Sequence, residues 1–76
     1  MKEVNLTQLK GSQTATVKKI LGGQAVVRRL EALGIRPEKK ITKISSHFWK
    51  GPVTVMQGKT KIAIGHGMAQ KIIVEI

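Results

Sequence analysis

Several residue types are missing from this chain, and each gap removes a class of function. The sequence has no cysteine, which excludes disulfide bonds, thiolate metal sites and a cysteine nucleophile. It also has no tyrosine and no aspartate. Its four carboxylates are isolated glutamates, and no serine stands in a nucleophile motif, so the groups that acid–base or nucleophilic catalysis needs are scarce. We therefore expect a protein that is not an enzyme.

Long apolar runs are also absent. No stretch approaches the length of a membrane span, and the first residues lack the apolar core of a signal peptide. Seventy-six residues are enough for one small domain. We expect residues 1–76 to form a single domain that is cytoplasmic and does not span the membrane.

Positive charge is what the chain has in excess. Fourteen lysines and arginines face four acidic residues, which gives a net charge of +10. Such a balance favours an anionic partner, whether nucleic acid, an acidic membrane face or an acidic protein surface. The basic residues are mostly dispersed lysines, whereas contacts to bases and phosphates usually depend on arginine. A nucleic-acid-binding module is therefore the alternative to a protein-binding one.

One segment, residues 22–37, has the pattern of a helix. Its apolar residues recur at helical spacing and predict a single buried stripe: Val26, Val27, Leu30 and Leu33. Arg28 and Arg29 fall outside that stripe. Gly34 can adopt the left-handed conformation that ends a helix, and Ile35 would then fold back onto Leu30.

The rest of the chain predicts about five short strands, with the helix inserted between the first and the second. Their approximate ranges are 13–21, 39–48, 53–56, 61–64 and 72–76. Ile20, Ile41 and Ile44 break the alternation, which indicates bulged or strongly bent strands. A sheet this small can bury a core only by curling. The sequence therefore predicts a mainly β, partly open barrel.

The first eleven residues predict a lead-in to this barrel. Asn5 is placed to cap a single helical turn, and Leu6 and Leu9 are then available to cover one end of the core.

Candidate binding residues are few. His47 and His66 are the chain's only imidazoles, and their spacing matches no metal motif, so we expect no required cofactor and at most a weak iron or zinc site. Phe48 and Trp49 form the only aromatic pair, and two consecutive strand-end aromatics cannot both point inward. One of them is therefore expected to contact a partner.

The order of these motifs resembles that of the FeoA family over nearly the whole chain. The matching features are the leucines 6 and 9 before Gly11, Ala15-x-Val17, Gly22-Gly23 opening the helix, Arg29-Leu30-x-x-Leu33-Gly34-Ile35-x-Pro37, Gly51-Pro52-Val53, Gly58 before a strand, and Ala69-x-x-Ile72-x-Val74. Glu38 departs from the pattern, because the family typically has glycine there.

The resemblance implies an SH3-like barrel, a domain type also found at the C-terminus of iron-dependent DtxR-like repressors. It implies a cytoplasmic accessory protein of ferrous iron uptake that docks on FeoB, a membrane transporter with a cytoplasmic GTPase domain. Family members are often described as binding transition metals. Homodimer formation stays open at this point.

Charge and resemblance together give a docking hypothesis. Arg28 and Arg29 on the exposed helix face, with Phe48 and Trp49 in the loop at the end of the second predicted strand, are the expected contacts with an acidic surface of the transporter.

Overall fold

The computed structural model describes residues 2–45 and 51–76. Within them, six antiparallel strands form one sheet in the order β1-β6-β2-β3-β4-β5. The strands are β1 (Glu3–Asn5), β2 (Thr14–Ile20), β3 (Lys40–Ser45), β4 (Val53–Gln57), β5 (Thr60–Ile64) and β6 (Ile72–Glu75). A 3₁₀ turn (Leu6–Gln8), helix α1 (Gln24–Ala32) and the short helix α2 (His66–Ala69) complete the elements. In this part of the chain, no helix has the length and apolar character needed to cross a membrane.

The predicted fold class is confirmed, with one strand added. The protein is mainly β with one main helix, which follows β2 and precedes β3. The additional strand is β1, whose Val4 lies opposite Val74 of β6. A strand of only three residues shows no alternation in sequence, and its pairing joins the two ends of the chain. Local pattern therefore could not reveal it.

Two irregularities bend the sheet where the alternation predicted them. The register of β2 against β6 shifts between Val17 and Lys19. The register of β3 against β4 shifts between Lys43 and Ser45. A bulge adds a residue to one strand and increases the local twist. Both bulged strands are central in the sheet, so they curl it around the core.

The core is built from inward residues of the sheet, leucines of the N-terminal turn, one residue of each α-helix, and Ile35, which follows the end of α1. Its buried members are Leu6, Leu9, Ala15, Val17, Leu30, Ile35, Ile41, Val53, Val55, Ile62, Ile64, Ala69, Ile72 and Val74. The prediction for Leu33 was wrong, because this side chain is 45% exposed. The helix ends before it, and Ile35 occupies the buried position instead.

The predicted end of α1 is confirmed in detail. Gly34 has φ of +97° and its N–H donates to the carbonyl of Glu31 at 2.9 Å. The N–H of Ile35 donates to the carbonyl of Leu30, also at 2.9 Å. These two bonds are the Schellman motif, and they fold the chain back so that Ile35 reaches the core.

The N-terminal turn is also capped as predicted. The Oδ1 atom of Asn5 accepts from the N–H of Thr7 at 2.9 Å, and Oε1 of Gln8 accepts from the N–H of Asn5 at 2.9 Å. This reciprocal pair satisfies amides at the start of the turn. It leaves Leu6 and Leu9 buried at one end of the barrel.

A lysine lies in the core beneath that turn, and the sequence interpretation missed it. Lys43 is 2% exposed, and its Nζ donates to the carbonyl oxygens of Thr7 at 3.1 Å and Leu9 at 2.6 Å. Ile41 and Lys43 share the inward parity of β3, whereas Ile44 is 40% exposed. Following the inward parity from Ile41, rather than apolar character, would have found Lys43.

Burial lowers the pKa of Lys43 from its ordinary value of 10.5, because the charged amine loses its hydration. At pH values between the lowered pKa and 10.5, the unfolded chain binds more protons at this residue than the folded chain. The free energy of unfolding therefore rises with pH across that interval. A neutral amine still has two N–H donors for the two carbonyls.

We expect the unfolding free energy of the wild type to rise relative to that of Lys43→Met as pH is raised towards 10.5. Urea denaturation of both proteins across the alkaline range measures it. Lys61→Met is the matched control, since it removes a lysine that faces solvent. A difference for Lys43→Met that is as flat with pH as that of the control would contradict the assignment.

Glu38 adopts a backbone conformation that suits glycine. Its φ is +74°, which places the Cβ of an L-residue close to the backbone. The backbone around it is fixed on β2: its N–H donates to the carbonyl of Val17 at 2.7 Å, and the N–H of Val17 donates to the carbonyl of Lys39 at 2.8 Å. The turn therefore cannot relax to a negative φ without breaking these bonds.

Glu38→Gly is expected to be more stable than Glu38→Ala by about 1 kcal/mol, because both lose the carboxylate and only alanine keeps the strained Cβ. Thermal or urea unfolding of the two variants gives the comparison directly. Equal stability of the pair would show that the Cβ at this position is not strained.

Candidate docking surface

The outer side of α1 carries the two arginines singled out from the sequence. Leu30 is buried, while Arg28 and Arg29 are exposed together with Ala25 and Ala32. We call these four exposed residues the α1 face. The predicted exposure of both arginines is confirmed, and their role in docking stays a prediction.

Packing and the C-terminal cap hold α1 in place. At its start, Gly23 provides no side-chain cap, and its carbonyl accepts from the N–H groups of Val26 at 3.1 Å and Val27 at 3.2 Å. At its end, Arg29 stands in the last turn, where the helix dipole favours positive charge. The α1 face is thus presented by a helix anchored through Leu30 and the Schellman motif.

Three of the four glutamates lie elsewhere on the molecule, and the fourth, Glu31, is exposed on α1 itself. Nζ of Lys18 lies 3.6 Å from Oε1 of Glu75 and 3.7 Å from Oε1 of Glu38. Glu3 is the register partner of Glu75. Both ion pairs found in the described residues involve Lys18, so the charges of Arg28 and Arg29 are not neutralised by a salt bridge within this part of the protein.

The structure describes one of the two histidines. His66 is the first residue of α2 and is half-buried, whereas His47 lies outside the described residues. Across residues 2–45 and 51–76, no three His, Cys, Asp or Glu side chains cluster as a cation site. A weak metal site at either histidine stays a prediction.

The predicted aromatic contacts cannot be placed beside the arginines. Phe48 and Trp49 lie outside the described residues, so their part in docking also stays a prediction.

A groove that the sequence did not reveal lies over the strands β1, β6 and β2. Its volume is about 390 Å³, and its charged lining residues are one acid, Glu3, and one amine, Lys19. Leu21 and Ile73 give it apolar surface. The groove depends on the pairing of β1 with β6, which no local pattern indicated.

Comparison with known proteins places the chain in a family. A sequence model of the FeoA domain matches residues 4–76. The chain belongs to the FeoA family. The match extends over both bulged strands, α1 and every residue that lines the groove except Glu3.

Two relatives resemble the protein over most of their length. A protein of Methanocaldococcus jannaschii named Fe(2+) transport protein A is 38% identical over 66 residues, which is 87% of this chain and 78% of that protein. The crystal structure of an iron uptake regulatory protein, FeoA, has a TM-score of 0.91 and 30% identity, with 97% of both chains covered.

The same fold also occurs within longer proteins. A manganese-dependent transcriptional repressor matches with a TM-score of 0.88 and 20% identity, over 96% of this chain and 41% of the repressor. IdeR of T. acidophilum matches with a TM-score of 0.86 and 26% identity, over 100% of this chain and 35% of IdeR. At 20% identity, the manganese-dependent repressor shares the fold and carries no argument about metal in this protein.

Reversing both charges of the α1 face should leave the fold intact. Arg28→Glu with Arg29→Glu is expected to lower the free energy of unfolding by at most about 1 kcal/mol, because both side chains are exposed and the main loss is at the helix C-terminus. Leu30→Ala, on the buried side of the same helix, should cost about 2 to 5 kcal/mol.

Urea unfolding of the wild type, the double arginine variant and Leu30→Ala distinguishes these cases. A double variant as destabilised as Leu30→Ala would mean that the arginines support the fold and do not form a free surface.

Proposed function

We propose that this protein is a non-enzymatic accessory protein of ferrous iron transport. It docks through the α1 face on an acidic cytosolic surface of a FeoB-like membrane GTPase transporter. Membership of the FeoA family and the two relatives named for iron transport and uptake support the transport role.

The observation that carries the docking surface is the excess of positive over negative charge on α1. Arg28 and Arg29 are exposed on α1, and neither is in a salt bridge within the described residues. Three of the four glutamates, Glu3, Glu38 and Glu75, lie around Lys18 or in register with its partner. Helix α1 itself carries two exposed arginines and one exposed glutamate, Glu31, so an acidic surface approaching the α1 face meets a net positive charge, which favours encounter and orientation.

The direct test uses the purified protein and the purified cytoplasmic GTPase region of the FeoB from the same organism. Their affinity is measured at physiological salt for the wild type and for the double variant Arg28→Glu, Arg29→Glu. The matched control is Lys2→Glu with Lys10→Glu, which makes the same change in net charge at exposed residues away from α1.

The proposal predicts at least a ten-fold loss of affinity for the arginine pair, equivalent to about 1.4 kcal/mol, and a much smaller loss for the lysine pair. Equal losses would show a general charge effect with no docking role for α1. Wild-type protein that binds RNA more tightly than the transporter region, with affinity that falls steeply with salt, would favour the nucleic-acid-binding alternative.

A further inference from the structure

The terminal strand β5 has an open hydrogen-bonding edge. In the described sheet β5 pairs with β4 alone, and the two strands are joined by a two-residue turn with Gly58 at φ of +60°. A turn of this length makes its flanking residues, Gln57 and Thr60, a hydrogen-bonded pair.

The direction of every other backbone group in β5 follows from that pair. Hydrogen-bonded and non-hydrogen-bonded pairs alternate along an antiparallel ladder. Ile62 and Ile64 therefore bond to β4, as Thr60 does. The N–H and C=O groups of Lys61 and Ala63 point away from the sheet, and both residues are exposed.

The opposite edge, β1, is much less available. It has three residues, and the N–H of its Asn5 is already bonded to Oε1 of Gln8 at 2.9 Å. β5 has five residues that pair in continuous register without a bulge. Among the usual protections of an edge strand, the described residues give β5 only a charged side chain, Lys61.

Charge indicates which kind of strand this edge accepts. Lys59 and Lys61 are exposed at β5, while Glu3 and Glu75 lie on β1 and β6 at the other side of the sheet. Side chains directly opposite each other on paired strands interact, and opposite charges stabilise the pairing. The lysine that deters pairing with another basic copy of the chain would therefore stabilise pairing with an acidic strand.

We propose that the β5 edge binds an extended acidic segment of another protein, which adds to the sheet as a further strand beside Lys61 and Ala63. Backbone bonds to these two residues supply the affinity, and carboxylates opposite Lys61 supply the selectivity. The surface is separate from the α1 face, so this inference does not depend on the transporter docking proposed above.

A capped heptapeptide of alternating valine and glutamate is a suitable probe, with the valine–lysine heptapeptide as its charge control. Two-dimensional NMR of the labelled full chain follows the titration and the exchange of backbone amides. We expect the acidic peptide to shift the amides of Lys61 and Ala63 and to slow their exchange with solvent. The basic peptide should do neither.

Two pairs of variants separate the backbone and charge contributions. Ala63→Pro removes an outward N–H that β4 does not use, so it should weaken binding about five-fold or more, whereas Ala63→Val keeps the donor and should bind normally. Lys61→Glu should weaken binding more than Lys19→Glu, which makes the same change in net charge on β2.

Three results would overturn the inference. One is a set of shifts centred on the groove or on α1 and not on β5. Another is equal binding of the acidic and basic peptides. The third is Ala63→Pro that stays folded, by its NMR spectrum, and binds as well as Ala63→Val.

Discussion

The amine of Lys43 joins the centre of the sheet to the N-terminal turn of this small barrel. It belongs to β3, in the middle of the sheet, and it donates to two carbonyls of the segment that follows β1. Those carbonyls lie at the end of a 3₁₀ turn, where the turn itself leaves backbone acceptors without partners. Because Lys43 satisfies them, Leu6 and Leu9 can stay buried over the end of the core. This arrangement removes the amine of Lys43 from water, which disfavours its charged form and lowers its pKa.

Closure of the barrel follows from two bulges and remains incomplete. The bulged strands β2 and β3 occupy the centre of the sheet, so their extra twist brings both flanks around the core. The edges do not join in the described sheet, in which β1 and β5 are its two terminal strands. At β1, the N–H of Asn5 is bonded within the cap of the following turn, whereas β5 pairs with β4 in regular register to its end. The same incomplete closure therefore produces a protected edge and an open one.

The local features of this fold were predictable from the sequence, and the long-range ones were not. Gly34 and Ile35 predicted the end of α1, and Asn5 predicted the cap of the N-terminal turn, since each feature depends on residues a few positions away. The exposure of Arg28 and Arg29 followed from helical spacing. β1, the groove and the burial of Lys43 depend on contacts between distant segments, and a lysine at an inward strand position is usually taken as a surface residue. The ion pairs of Glu38 and Glu75 with Lys18 also became visible only with the strands in place.

In the proposed function, the positive charge of this protein serves a transporter and not a nucleic acid. The most direct measurement is a pull-down with the tagged protein from lysate of the iron-starved source organism, at physiological salt, with and without nuclease. The account predicts that mass spectrometry identifies a FeoB-like membrane GTPase in both samples. Recovery of only RNA-associated proteins, which disappear after nuclease treatment, would contradict it.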